Sequence, residues 1–118
     1  MIGSDGRPRV TEAHSLDGDG ARLFEGADHG GVALSFFLTD TPPGGGPRLH
    51  VHPYPEVFVV QQGTAAFRVG EATIEASEGQ IVVAPPGQAH TFTNAGHRPL
   101  RMVTLHPSDR VVTDWLTE

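Results

Sequence analysis

Apolar and polar residues alternate along most of the chain in short segments cut by Gly- and Pro-containing turns, a period of two that marks strands rather than helices. The alternation predicts strands at 21–25, 48–52, 56–62, 64–69, 72–76, 81–84, 90–93 and 100–106, with a further short one at 9–16. Asp17-Gly18-Asp19-Gly20, Gly70-Glu71, Glu78-Gly79, Pro85-Pro86-Gly87 and Asn94-Ala95-Gly96 supply the turns between them. Segment 32–39, VALSFFLT, differs from the rest. It is apolar on both faces, with Val32, Leu34, Phe36 and Leu38 on one and Ala33 and Phe37 on the other. Such a strand is buried on both sides, so in a small barrel it predicts a filled interior, a covered exterior and hence a homodimer interface. Residues 1–8 read as a loose polar arm, and 41–47 (TPPGGGP) as either a flexible loop or a mouth beside a site. The tail 108–115 fits a short helix capped by Ser108 or, through Val111, Val112 and Thr113, a strand. The expected fold class is all-β, a small sandwich or barrel with little helix.

Composition narrows this picture. A chain of 118 residues is expected to form one domain, spanning 1–118, and to bury roughly 65% of its unfolded surface. Zero Cys removes disulfides, thiolate metal sites and thiol nucleophiles, and fits a cytoplasmic location. No apolar stretch resembling a signal peptide is visible at the start, and the longest apolar run, 32–38, is too short to cross a bilayer. The net charge is −6 and all eight basic residues are Arg. Neither nucleic acid nor a membrane is therefore an expected partner.

Seven His in so short a chain point to chemistry. His50 and His52 share parity on one strand, so they lie on one face about 6–7 Å apart. Glu56 opens the next strand after the Pro53-Tyr54-Pro55 turn and can fold back beside them. Phe58, Val60 and Gln62 share its parity and are expected to point inward, as are His90 and Phe92 on a later strand. A His-x-His pair alone is a weak signal, because two surface histidines on a strand are common. Three His and one carboxylate form a nitrogen and oxygen donor set that suits Fe, Mn, Ni, Cu or Zn as a divalent ion. Four protein ligands on a six-coordinate ion leave two positions open for a substrate or water.

The wider spacing carries a resemblance. Gly44, His50, His52, Glu56 and Gly63 stand at the intervals of the first cupin motif, and Gly79, Pro85, Gly87, His90 and Asn94 at those of the second. The chain thus resembles the small single-domain members of the cupin superfamily, with its first motif at 44–63 and its second at 79–94. The resemblance implies a double-stranded β-helix, a jelly-roll-like barrel that is usually dimeric. It also implies that His50, His52, Glu56 and His90 hold one divalent transition metal ion per subunit.

Around those ligands the expected pocket contains Phe36, Phe58, Val60, Gln62, Phe92, Met102 and, by parity with Met102, His106. It is largely apolar, so a partly apolar small molecule is the expected ligand. Glu56 is a candidate proton shuttle, and Tyr54, lying between ligands, a candidate for reaching substrate through its hydroxyl. The functional expectation is a small metal-dependent enzyme of dioxygenase, isomerase or cyclase type, since fold does not choose among these. The alternative is a non-catalytic binding or sensing protein that uses the same site.

Overall fold

A computed structural model describes residues 6–117. Among these residues, ten strands form two antiparallel five-stranded sheets. One sheet has the order β1 (Ala21–Glu25), β2 (Ser35–Thr41), β9 (Leu100–His106), β4 (Glu56–Gln62), β7 (Ile81–Ala84). The other has the order β10 (Asp114–Trp115), β3 (His50–Val51), β8 (His90–Asn94), β5 (Thr64–Val69), β6 (Ala72–Ser77). Among the described residues, regular helix is confined to two 3-10 turns, Ala13–Ser15 and Gly26–Asp28. No helix among the described residues is long and apolar enough to cross a membrane.

The alternation of side chains seals the core between the sheets. Phe58 and Val60 of β4, Ala65 and Phe67 of β5, Phe92 of β8, and Leu100 and Met102 of β9 are all buried. Phe58, Phe67 and Phe92 meet with ring centroids 5.0–6.2 Å apart, the spacing of edge-to-face aromatic packing. The four motif glycines, Gly44, Gly63, Gly79 and Gly87, all have positive φ, from 74 to 91°, a region that side chains with a Cβ rarely enter. These glycines make the tight turns that return the chain into the next strand.

Backbone hydrogen bonds tie the two motifs together. Gly44 N donates to Asn94 O and Asn94 N to Gly45 O, and Gly87 N donates to His52 O. The Asn94 side chain, buried, donates to Thr41 O and Arg98 O and accepts from Gly96 N. The 41–47 stretch is therefore a held loop at the barrel's lip.

Two expectations need correction, and the open reading of the tail is resolved. Residues 9–16 form no strand; Val10 is 93% exposed, and the 3-10 turn that follows buries nothing. Strand β2 starts at Ser35, three residues later than expected, because Gly31 N and Val32 N both donate to Gly26 O and hold the chain in a turn. It runs on to Thr41 because Asp40 and Thr41 still pair with Arg101 and Leu100 of β9. The tail forms a short strand, β10, paired with β3 through Asp114↔Val51 and Trp115↔His50. The expected arm at 1–8 falls mostly outside the described residues, and 6–8 carry no regular structure.

Candidate metal centre

His50 and Val51 form a strand only two residues long, which ends at the Pro53-Tyr54-Pro55 turn. That turn reverses the chain so that Glu56, the first residue of β4, comes back beside His52. His90 opens β8 and is the register partner of His50. One ligand atom from each of His50, His52, Glu56 and His90 lies within 4.8 Å of the others, and all four residues are buried.

The ring tautomers are fixed from behind. His50 Nδ1 lies 2.8 Å from Arg48 O, His52 Nδ1 2.7 Å from Val112 O, and His90 Nδ1 3.0 Å from Gln88 O. A carbonyl can only accept, so each Nδ1 carries a proton and each Nε2 is turned toward the cluster, the outer-shell arrangement of metal-bound histidines. Glu56 Oε1 lies 2.9 Å from His90 Nε2 and 3.0 Å from His52 Nε2. The first of these contacts has the geometry of a hydrogen bond, and a metal ion would sit between two such acceptors. The second lies off a hydrogen-bond direction and leaves His52 Nε2 buried without a hydrogen-bond partner among the described residues. A buried ring nitrogen without a partner is costly in an apo protein and natural in a ligand. The donor set and this orphaned atom both fit a divalent transition ion.

A fourth imidazole joins the cluster. His106, at the end of β9 and 1% exposed, places Nε2 3.3 Å from Glu56 Oε2. That nitrogen also lacks a hydrogen-bond partner among the described residues. Its Nδ1 lies 2.9 Å from the Tyr54 hydroxyl, which accepts from Val112 N at 3.0 Å. Burial, reinforced by the negative charge of Glu56, pushes the Tyr54 phenol up, so it keeps its proton as a donor toward His106.

The electrostatics follow from burial and these contacts. Burial opposes ionisation of Glu56, but the imidazoles of His106, His52 and His90 around it outweigh that and hold its carboxyl far below the usual carboxylate range. Burial pushes His50 down. His52 meets the same penalty, yet the Glu56 carboxylate and the Val112 carbonyl overcome it and raise its pKa.

In front of the cluster lies a cavity of about 410 Å³, lined by His50, His52, Glu56 and His106 with Phe37, Phe58, Phe92, Thr104 and Trp115 among others. Of the pocket expected from sequence, Phe58, Phe92 and His106 line it. Val60 and Met102 are buried beyond Phe58 in the core and do not. Phe36 points outward and stacks on Phe24 with centroids 4.6 Å apart; its neighbour Phe37 takes the inner place. Parity could not orient a strand with two apolar faces. Gln62 is outside because a bulge between Val60 and Gln62 shifts the register, and its amide bonds Pro99 O at the surface. Tyr54 does not line the cavity, since its hydroxyl is engaged behind His106. Trp115 was not expected there; it packs on His50 at 5.0 Å, and only the pairing of β10 brings it in.

The "Cupin domain" family profile matches residues 37–106, more than half of the chain. The chain belongs to the cupin family. No curated protein sequence matches this cupin. Among solved structures, it resembles oxalate oxidase in complex with the substrate analogue glycolate, with a TM-score of 0.79 and 19% identity over 96% of this chain and 66% of that one. A mutant of Bacillus subtilis oxalate decarboxylase superposes with a TM-score of 0.75 and 20% identity, over 85% of this chain and 29% of that one. An uncharacterised double-stranded β-helix protein from Klebsiella pneumoniae matches at 0.75 and 19% identity, over 95% of this chain and 100% of its own. The cupin thus spans less than a third of the decarboxylase chain, and at these identities the likeness shows the fold.

Proposed function

We propose that this cupin, acting as one domain over 1–118, binds one divalent transition metal ion through His50, His52, Glu56 and His90 and uses it to transform a small, partly apolar organic molecule. The observation that carries the reading is the buried cluster, with His52 Nε2 lacking a hydrogen-bond partner, open to an apolar cavity. The Mn(II) centres of B. subtilis oxalate decarboxylase, on the same fold, support a divalent ion of this class. When bound, such an ion polarises an oxygen donor of the substrate as a Lewis acid.

The chain's own residues do the rest. Phe37, Phe58 and Phe92 bury the apolar part of the substrate and exclude water from it. The backbone carbonyls of Arg48, Val112 and Gln88 hold the three rings in one orientation. Glu56 presents Oε1 to the cluster while Oε2 faces His106. Because His106 Nδ1 accepts from Tyr54 Oη, the ring carries its proton on Nε2 and can give it to Oε2 and take it back. These groups suit proton transfer during oxygenation, isomerisation or cyclisation.

The outer face of the β1-to-β7 sheet supports a homodimer. Phe36, Leu105, Val57 and Val83 form one cross-strand apolar row, and Leu38, Val103, Val59 and Ile81 the next. Ile81 and Val83 are 63% and 58% exposed, an apolar surface that a second copy would cover. Val59→Asp is expected to shift the sedimenting species from dimer to monomer.

Elemental analysis of protein reconstituted with each metal tests the site, and turnover of phenols, diketones and keto acids tests the chemistry. Near one equivalent of metal, lost in His50→Ala and kept in His14→Ala, supports the assignment. The same metal content in Glu56→Ala as in wild type refutes it. Full loading with tight ligand binding but no turnover by any metal form would make this a binding protein.

A further inference from the structure

Trp115 shares a face of its sheet with a residue of the cluster. In the antiparallel pairing of β10 with β3 it is the register partner of His50, and residues directly opposite each other project from the same side of a sheet. His50 turns inward to the cluster, so the indole stands on the inner side as well, with its ring centroid 5.0 Å from that of His50. Strand β10 is the edge of its sheet, which puts the indole at an open flank of the barrel rather than in the core. Arg48, which does not line the cavity, holds the ring from another side, its guanidinium 5.2 Å from the ring centroid. Trp115 is nevertheless 53% exposed, and of the large apolar residues left exposed among the described ones it alone lines the cavity. Phe58 and Phe92, at 2% and 7%, have little surface left to offer a ligand.

We propose that Trp115 sets the substrate specificity of this site: its indole receives a flat, unsaturated group carried next to the chelating head and selects it over a saturated ring of similar size. This rests on the metal-dependent reading above. Because the indole abuts His50, the part of the substrate it meets is the part bonded to the atoms that reach the ion. A flat π system can lie offset against the indole over much of its area, whereas a puckered ring meets it through a few hydrogens. Aromatic pairs gain about two- to tenfold in affinity beyond the area they bury. Burial alone favours the saturated ring, the more apolar of the two. Selection for the flat ring is therefore a mark that the indole leaves and simple hydrophobicity does not.

Benzohydroxamate and cyclohexanecarbohydroxamate share one chelating head and differ in the ring beside it. The protein is loaded with Co(II), loading is checked by elemental analysis, and each dissociation constant is read from the visible absorption of the ion. The preference for the phenyl compound is expected to fall about two- to tenfold in Trp115→Leu and to survive in Trp115→Phe. A ratio unchanged in Trp115→Leu overturns the inference, even if both affinities drop, because a residue that only props His50 would weaken the two ligands alike. Trp115 is the one tryptophan of the chain, so the wild-type protein decides the matter if the variants fold poorly. With Zn(II) bound, benzohydroxamate is expected to displace water from the indole and shift its emission to the blue. Binding seen by calorimetry with no change in that emission overturns the inference. So does a fully loaded protein that binds neither hydroxamate, which leaves the metal site standing. A protein that takes up neither ion overturns the metal-dependent reading itself, and the inference with it.

Discussion

His50 and His90 face each other as register partners across β3 and β8, with ring centroids 4.5 Å apart. One comes from the first motif and the other from the second, 40 residues apart by their numbers. The β3–β8 ladder has only this one register pair, so the cluster depends on what holds the flanking loops. Those are the Gly44–Asn94 and Gly87–His52 backbone bonds.

Asn94 is the side chain that locks this junction. Replacing it with Ala leaves Thr41 O and Arg98 O without their donor and Gly96 N without its acceptor, all at a buried position. Asn94→Ala should destabilise the protein by about 2–4 kcal/mol in urea unfolding, since a buried polar group left unpaired costs about 1–3 kcal/mol. The metal-free and metal-loaded forms should both show the loss. A change confined to the loaded form would mean that Asn94 acts on the ligands rather than on the fold.

The stability of the metal-free protein should depend on pH through three groups, two with one sign and one with the other. Glu56 has its folded pKa held down, so its contribution is present above the ordinary carboxylate range and is lost as pH falls through the folded value. His50, pushed down by burial, adds in the same sense, beginning as pH falls through the usual 6.5. His52 is raised, so its contribution is full below 6.5 and is lost as pH rises through the folded value. Glu56→Gln removes the charge that sustains His52 and should flatten both limbs of a plot of melting temperature against pH. Superimposable profiles for the two proteins would show that the cluster does not set the pH response.

Much of this architecture is legible in the sequence because a period of two leaves a strand only one way to bury its apolar side. Strands β4, β5, β7 and β9 run as the alternation predicts. The cupin spacing likewise brought together the residues that cluster in space. What alternation could not supply was orientation where both faces are apolar, as at Phe36 and Phe37, or register across a bulge, as at Gln62. The tail was opaque for another reason. Its strand β10 is two residues long and exists through pairing with β3 and the bonds of Val112. His106 was visible by parity with Met102, but its approach to Glu56 depends on where β9 ends.

The three consecutive glycines of the first motif should not respond alike to substitution. A Cβ on Gly46 would lie 1.9 Å from Phe92 O, a contact that only backbone movement could relieve. A Cβ on Gly44 would meet nothing within 4 Å, and only its φ of 78° resists a side chain. Gly44→Ala should cost about 1–2 kcal/mol, the penalty of left-handed backbone. Gly46→Ala should cost more and displace β8, with lower metal occupancy as a result. Equal melting temperatures for the two variants would contradict the close approach of Gly46 to Phe92.

The tail should matter more to the site than to the barrel. Val112 O fixes the His52 ring, Val112 N donates to Tyr54, and Trp115 packs on His50. The tail's residues take no part in the apolar core between the sheets. A chain ending at Asp109 keeps β1 to β9 but frees the His52 ring and leaves Tyr54 without a backbone donor. Loss of an outer-shell partner typically lowers metal affinity 10–100-fold, and competition with a chromophoric chelator should show a drop of about that size. Val112→Ala keeps the backbone carbonyl and amide and should leave affinity near wild type, which separates the hydrogen bonds from the side chain. If the truncated protein holds metal as tightly as the full chain, the His52 ring is oriented by its neighbours in the cluster and not by the tail.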